Sequence, residues 1–157
     1  MSEHKKTAME TASAYLASRM RTSQEVRNRL RDHEYDAAET EDTIRELEAL
    51  GYLNDYEYAL RYYEYNREKR RGSQRAAREL LQKGVDEETV RNSREDFMHE
   101  QKVDEFEDAL YVACREAEDK EYDDKLGAKI ARKLEARGFE NRVIIRVLEA
   151  LRKSDYE

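Results

Sequence analysis

The side chains in this sequence with the clearest chemical potential are cations. Arg67, Lys69, Arg70, Arg71, Arg75, Arg78 and Lys83 crowd one stretch, and residues 61–83 hold 8 basic against 3 acidic side chains in a chain whose total charge is -7. Such a block binds phosphates, or an acidic protein surface, without sequence preference. Six of the 11 tyrosines fall just upstream, between Tyr52 and Tyr65. Exposed aromatics can stack on unpaired bases, but Tyr58, Ala59, Tyr62 and Tyr63 recur at helical spacing and read as a core stripe. The candidate binding residues are therefore the seven cations.

Nothing else in the chain assembles into a reaction centre. His4, His33 and His99 lie far apart, with no Cys or Asp at ligand spacing, so no metal is expected. His4 reads as part of a disordered tail and His33 as a turn residue. Cys114 lies with Leu110, Ala113 and Ala117 on what reads as one helix face, which predicts a buried structural thiol rather than a nucleophile. There is no GxGxxG and no Walker A loop. The acidic run Glu118 to Asp124 lacks the spacing of a calcium loop and reads as a solvated, flexible joint. No nucleophile–base pair can be drawn, so the expectation is a binding protein with no cofactor and no enzymatic activity.

The elements that position the cations are helical. With 0 Pro, 5 Gly and no β-branched run alternating with polar residues in 157 positions, sandwiches, barrels and Rossmann folds are excluded. Charged residues make up 43% and hydrophobic ones 38%, so the core must be thin. No apolar run is long enough to span a bilayer, and residues 1–20 lack the apolar stretch of a signal peptide. The single Cys fits a reducing cytoplasm. Charge alternates along the chain: 8 basic and 13 acidic residues in 1–60, then the positive block, then 5 against 16 in 84–124 and 9 against 5 in 125–157. A strip of alternating sign suits a long partner better than a small substrate.

An internal repeat sets the architecture. SQEVRNRLRDHEY from Ser23, SQRAARELLQKGV from Ser73 and GAKIARKLEARGF from Gly127 align without gaps, at offsets of 50 and 54 residues. Leu30, Leu80 and Leu134 fall in register, as do Tyr35, Val85 and Phe139, and Leu47, Phe97 and Leu151. Thr22 and Glu25 form a capping box. Asp36, Asn54, Ser73 and Asp86 stand where N-caps are wanted, and Gly84 and Gly138 supply C-cap chemistry. Val143, Ile144, Val147, Leu148 and Leu151 make one apolar face. With a further helix before each pair (Ala8 to Met20, Tyr56 to Arg70, Val103 to Ala117), this predicts an all-α chain of about nine helices. They form three tandem three-helix repeats, at 1–52, 53–102 and 103–157, in an elongated, curved module.

The stretch from Leu50 to Val90, LGYLNDYEYALRYYEYNREKRRGSQRAARELLQKGVDEETV, resembles the RecX family of bacterial regulators of the RecA recombinase. That family's hydrophobic-Asp-acidic-x-x-Tyr-Ala segment, Arg-rich helix, Gly and Leu-x-x-Lys-Gly-hydrophobic ending read here as Leu53, Asn54, Asp55, Tyr58, Ala59, Gly72, Leu80, Lys83, Gly84 and Val85. AYLASRMRTSQEVRNRL is similar to its N-terminal repeat, through Arg19, Arg21, Ser23 and Leu30, and KIARKLEARGFENRVIIRVLEAL to its C-terminal one. Asn54 departs from the family's acidic residue, and His33-Glu34 replaces a Lys-Gly ending. The resemblance spans roughly Ala8 to Leu151. It implies a cytoplasmic monomer that binds the RecA filament on single-stranded DNA, touching DNA phosphates but no membrane. There it inhibits or caps the filament, damping homologous recombination and the SOS response. A helical-repeat adaptor for another protein and a helix-turn-helix-like DNA-binding protein stay open beside it.

Overall fold

The computed structural model describes residues 6–154, so His4 lies outside the described residues. Those residues form nine α-helices and no strand. They are α1 (Ala8–Ser18), α2 (Ser23–Asp32), α3 (Ala37–Ala49), α4 (Asp55–Glu68), α5 (Ser73–Gln82), α6 (Glu87–Glu100), α7 (Glu105–Ala117), α8 (Asp124–Ala136) and α9 (Asn141–Ser154). The chain divides into two compact units, one of Met1–Ala59 with Leu80–Ser93 and one of Leu60–Glu79 with Arg94–Glu157.

Side chains of the sequence itself cap most of the helix starts. Thr22 accepts from Glu25 N at 3.1 Å while the Glu25 carboxylate accepts from Thr22 N at 2.9 Å, completing the expected capping box. Asp36, Asn54 and Asp86 each accept an amide three residues on, at 2.8, 3.0 and 2.8 Å. Ser73 behaves differently from the N-cap read in the sequence. It is the first helical residue of α5, and both its amide and its hydroxyl donate to the Glu105 carboxylate. Ser23 stands in the same place on α2, its amide donating to Asp55 at 2.8 Å. A carboxylate from the start of the following α4 or α7 thus completes each helix N-terminus, where the dipole favours negative charge.

The ends of α2, α5 and α8 share one turn. Tyr35, Val85 and Phe139 donate their amides to Leu30, Leu80 and Leu134, at 3.1, 3.0 and 3.1 Å. All three leucines are fully buried. The left-handed residue this turn needs is Gly84 and Gly138 in two cases, but Glu34 (φ 65°) in the first, where the sequence has His-Glu for Lys-Gly.

In the unit holding Met1–Ala59, α1, α2 and α3 bury Ala8, Ala12, Val26, Leu30, Ile44 and Leu47 with Leu53. Tyr58 and Ala59 are buried in that unit as well. In the other, Ala109, Val112 and Ala113 of α7 meet Leu126, Ile130 and Leu134 of α8 and Val143, Ile144 and Val147 of α9. Tyr63 stacks on Phe97 there, with ring centroids 5.8 Å apart. Outside this core, Lys129 and Lys133 clasp Glu116 at 2.9 and 3.0 Å and hold its carboxyl down at about 2.

One sequence expectation is overturned on α7. Cys114 is exposed. The buried face of α7 runs through Ala109, Val112 and Ala113, which turns Cys114 to the solvent side together with the exposed Tyr111. The acidic run from Glu118 to Asp124 is exposed, as expected, apart from the half-buried Tyr122, and it also fixes the start of α8. Asp123 caps α8 through Leu126 N at 2.7 Å, and Tyr122 packs over Gly127 so closely that a Cβ there would lie 2.4 Å from its hydroxyl oxygen. α8 consequently starts three residues earlier in the aligned register than α2 and α5 do.

Gly138 (φ +93°) leaves no room for a side chain, since a Cβ would lie 2.1 Å from Arg75 Cβ and 2.9 Å from Arg75 N, whereas Gly51 (φ +81°) faces open space. Gly138→Ala should therefore cost about 2–4 kcal/mol, strain plus overpacking, and Gly51→Ala only about 1–2 kcal/mol of strain. Urea unfolding of both variants measures the difference.

Candidate functional site

Six of the seven predicted cations, Arg67 to Arg78, lie in the unit that contains α7 to α9, and Lys83 lies in the other. They come from the end of α4, the connection through Gly72, and α5. The structure gives them three different roles.

Arg67 and Arg70 share one carboxylate. Arg67 Nε donates to Asp108 Oδ2 at 3.3 Å, and an Arg70 guanidinium nitrogen lies 3.9 Å from Oδ1. Asp108 sits on α7 and is buried, with only 9% of its surface exposed. A carboxylate removed from water needs such partners. Arg70 reaches it from a left-handed backbone (φ 57°), in the turn where Arg71 N donates to Asn66 O at 2.9 Å. The Arg70 guanidinium also lies 4.1 Å from the Tyr111 ring centroid. For a non-glycine residue this conformation is strained, and the contacts of its side chain offset the cost.

Arg75 is a packing residue as well as a charge. Its Nε donates to Glu79 at 2.7 Å, and Nη1 donates to Ala136 O at 3.1 Å. Burial pushes the Glu79 carboxyl up, but hydrogen bonds from Tyr62 and Arg75, with the charge of Arg71 nearby, outweigh it and hold it below the usual carboxylate range. Ser73, which precedes Arg75 on α5, ties into the same region. It accepts from Arg94 Nε at 2.8 Å, and Arg94 Nη2 donates to Glu140 at 2.6 Å.

Lys69, Arg71 and Arg78 make no ion pair with a carboxylate among the described residues. Lys69 is exposed and lies 5.4 Å from the Tyr65 ring, while Arg71 is half-buried beside Glu79. Arg78 is exposed and makes no ion pair among the described residues. Lys83 lies half-buried, and its carbonyl accepts from the Thr22 hydroxyl at 2.8 Å. Of the tyrosines, Tyr58 and Tyr63 are buried and Tyr62 half-buried, the core stripe expected, whereas Tyr52 and Tyr65 are exposed at 69% and 50%.

Sequence reasoning missed the acids of this region, Asp108 against Arg67 and Arg70 and Glu105 against Ser73. Both belong to the negative stretch 84–124, and no local pattern shows which residues they meet. Their only signal is position, at the start of the helix equivalent to α4, where Asp55 plays the Glu105 role. Among the described residues no group of three His, Cys, Asp or Glu side chains could hold a metal ion, and no helix is long and apolar enough to cross a membrane.

Comparison with known proteins gives a consistent result. Residues 8–47 match a family model described as RecX, first three-helix domain, and residues 54–92 match RecX, second three-helix domain. A regulatory protein RecX of Bacillus cytotoxicus is 36% identical over 94 residues, covering 59% of the chain and 35% of that protein. One from Bacillus cereus is 31% identical over 146 residues, covering 90% and 52%. The chain thus spans about a third to a half of the length of these relatives. The crystal structure of RecX from Lactobacillus salivarius superposes with a TM-score of 0.78 at 22% identity, over 92% of this chain and 94% of that one, a likeness of fold.

Asp108→Asn leaves two arginines without their anion, so it should lower stability by about 1–3 kcal/mol. Arg78→Ala should change it by about 0.5 kcal/mol or less. Thermal and urea unfolding of the two variants compares them directly.

Proposed function

The chain belongs to the RecX family of regulatory proteins, and on that premise we propose that it binds the RecA filament on single-stranded DNA and caps or inhibits it. In doing so it damps recombination and SOS co-protease activity, as a cytoplasmic, non-enzymatic monomer. The observation that carries this reading is the two consecutive family domains, matched in order along residues 8–92.

The charge pattern supports it. Filament binding spreads many modest contacts over several subunits, and affinity then grows through multivalency. Lys69, Arg71 and Arg78 are the cations proposed to meet DNA phosphates or an acidic surface of RecA. Arg67, Arg70 and Arg75 act first on their own chain, through Asp108 and Glu79. That division sets the choice of variant. Reversing Arg75 would disturb its packing against Gly138 and confuse binding with folding.

Lys69→Glu with Arg78→Glu should weaken co-sedimentation with RecA filaments by about tenfold or more at low salt. A matched pair at the exposed Lys125 and Lys153, carrying the same net charge change, should have a much smaller effect. Equal binding by both pairs would remove the central cations from the interface. Binding to naked duplex DNA without a filament requirement would favour a helix-turn-helix reading, and binding to neither would favour an adaptor for another protein.

A further inference from the structure

A second concentration of positive charge lies around α1 and α2, on Arg29 of α2 and on the segments that flank the two helices, outside the cations considered so far. A cleft of about 490 Å³ is lined by Lys6, Arg21, Arg29 and His33 with Tyr15 and Ser18 among its walls. No carboxylate lines it among the described residues. Glu39, which accepts from Ala8 N at 3.3 Å at the start of α1, is outside the lining.

That absence of acid contrasts with a chain that carries 37 acidic against 30 basic residues. Several other arginines meet carboxylates, among them Arg27 with Glu41 at 2.6 Å, Arg67 with Asp108, Arg75 with Glu79 and Arg94 with Glu140. In the cleft two guanidiniums gather on one ring instead, with Arg21 3.8 Å and Arg29 4.9 Å from the Tyr15 centroid. The ring holds both cations electrostatically. Arg21 is further fixed by donating to Tyr15 O at 3.4 Å and to Ser18 Oγ at 3.1 Å. Two like charges gathered at one ring repel each other, and an anion bound in the cleft relieves the repulsion.

We propose that this cleft binds phosphate groups, supplied by the backbone of single-stranded nucleic acid or by a free nucleotide. Guanidinium forks match phosphate oxygens in bidentate geometry, which suits them to this ligand over a point-charge lysine site. The volume falls in the range of sites that take small ligands. The cleft needs no RecA, so its test is separable from the test of filament binding.

Two probes are titrated into the full chain without RecA, each followed by amide chemical shifts: a fluorescein-labelled oligothymidylate, read by anisotropy as well, and inorganic phosphate or a nucleotide. The expected result is saturable binding of at least one probe, with shifts centred on Tyr15, Arg21, Arg29 and His33. Arg29→Glu should weaken that binding by about tenfold or more, and Arg29→Lys by less. Arg91→Glu, an exposed charge reversal in the same unit at a residue that does not line the cleft, should leave it within about twofold because exposed charges are screened by salt. Saturation by the oligonucleotide alone identifies a polymer backbone, and saturation by phosphate or nucleotide alone identifies a small ligand. Absence of shifts at these residues with both probes overturns the proposal, as does an Arg29→Glu chain that binds like the parent with an unchanged melting curve.

Discussion

Everything in this structure is hung on one contact, made twice: the carbonyl end of one helix docks on the amide end of an earlier one. In one unit the Lys83 carbonyl, just beyond α5, accepts from the Thr22 hydroxyl at 2.8 Å, and Gly84 lies on Gln24. In the other the Arg137 carbonyl, just beyond α8, accepts from Gly72 N at 2.8 Å, and Gly138 lies on Arg75. Each joins the negative end of one dipole to the positive end of another. Both glycines do two jobs here, supplying a left-handed turn and letting the chains approach. A Cβ on either would fall within about 2 Å of a neighbouring Cβ, which no relaxation of one side chain removes.

A thin core makes such polar joints necessary. Charged residues make up 43% of the chain, and the buried apolar set is mostly Ala, Val, Leu and Ile gathered along narrow helix stripes. Burial alone gives such units little margin. Cations and carboxylates therefore serve the fold before they serve a ligand. Asp55 and Glu105 complete the starts of α2 and α5, Asp108 gathers Arg67 and Arg70, and Glu140 holds Arg94. Only cations left outside this bonding are available to recognise something else. That is why Lys69 and Arg78 carry the interface proposal, and why the acid-free cleft around Tyr15 stands out.

The helices were legible because their signals are local. Leu30, Leu80 and Leu134 close the same turn at the positions the alignment gives them, and the caps at Thr22, Asp36, Asn54 and Asp86 act as their residue types require. At Glu34 the turn survives without glycine, because the burial of Leu30 and Tyr35 around it outweighs the backbone strain of one residue. What stayed hidden depended on orientation or on distance in sequence. Cys114 sits one step off the buried stripe of α7, and a neighbour list cannot resolve that rotation. The pairing of Asp108 with Arg67 bridges 41 residues, and the convergence of Arg21 and Arg29 on Tyr15 joins two helices. Neither leaves a periodic trace.

The functional account stands on family membership and on central cations, Lys69 and Arg78, that no carboxylate among the described residues holds. A capping regulator acts at filament ends, so its effect should appear well below one copy per RecA subunit. The most direct measurement is RecA filament length on single-stranded DNA, followed with its ATP hydrolysis while the chain is added from sub-stoichiometric amounts upward. The account predicts filaments that shorten, with hydrolysis falling progressively, far below equivalence. Filaments that keep their length and hydrolysis rate even in excess of the chain would contradict it.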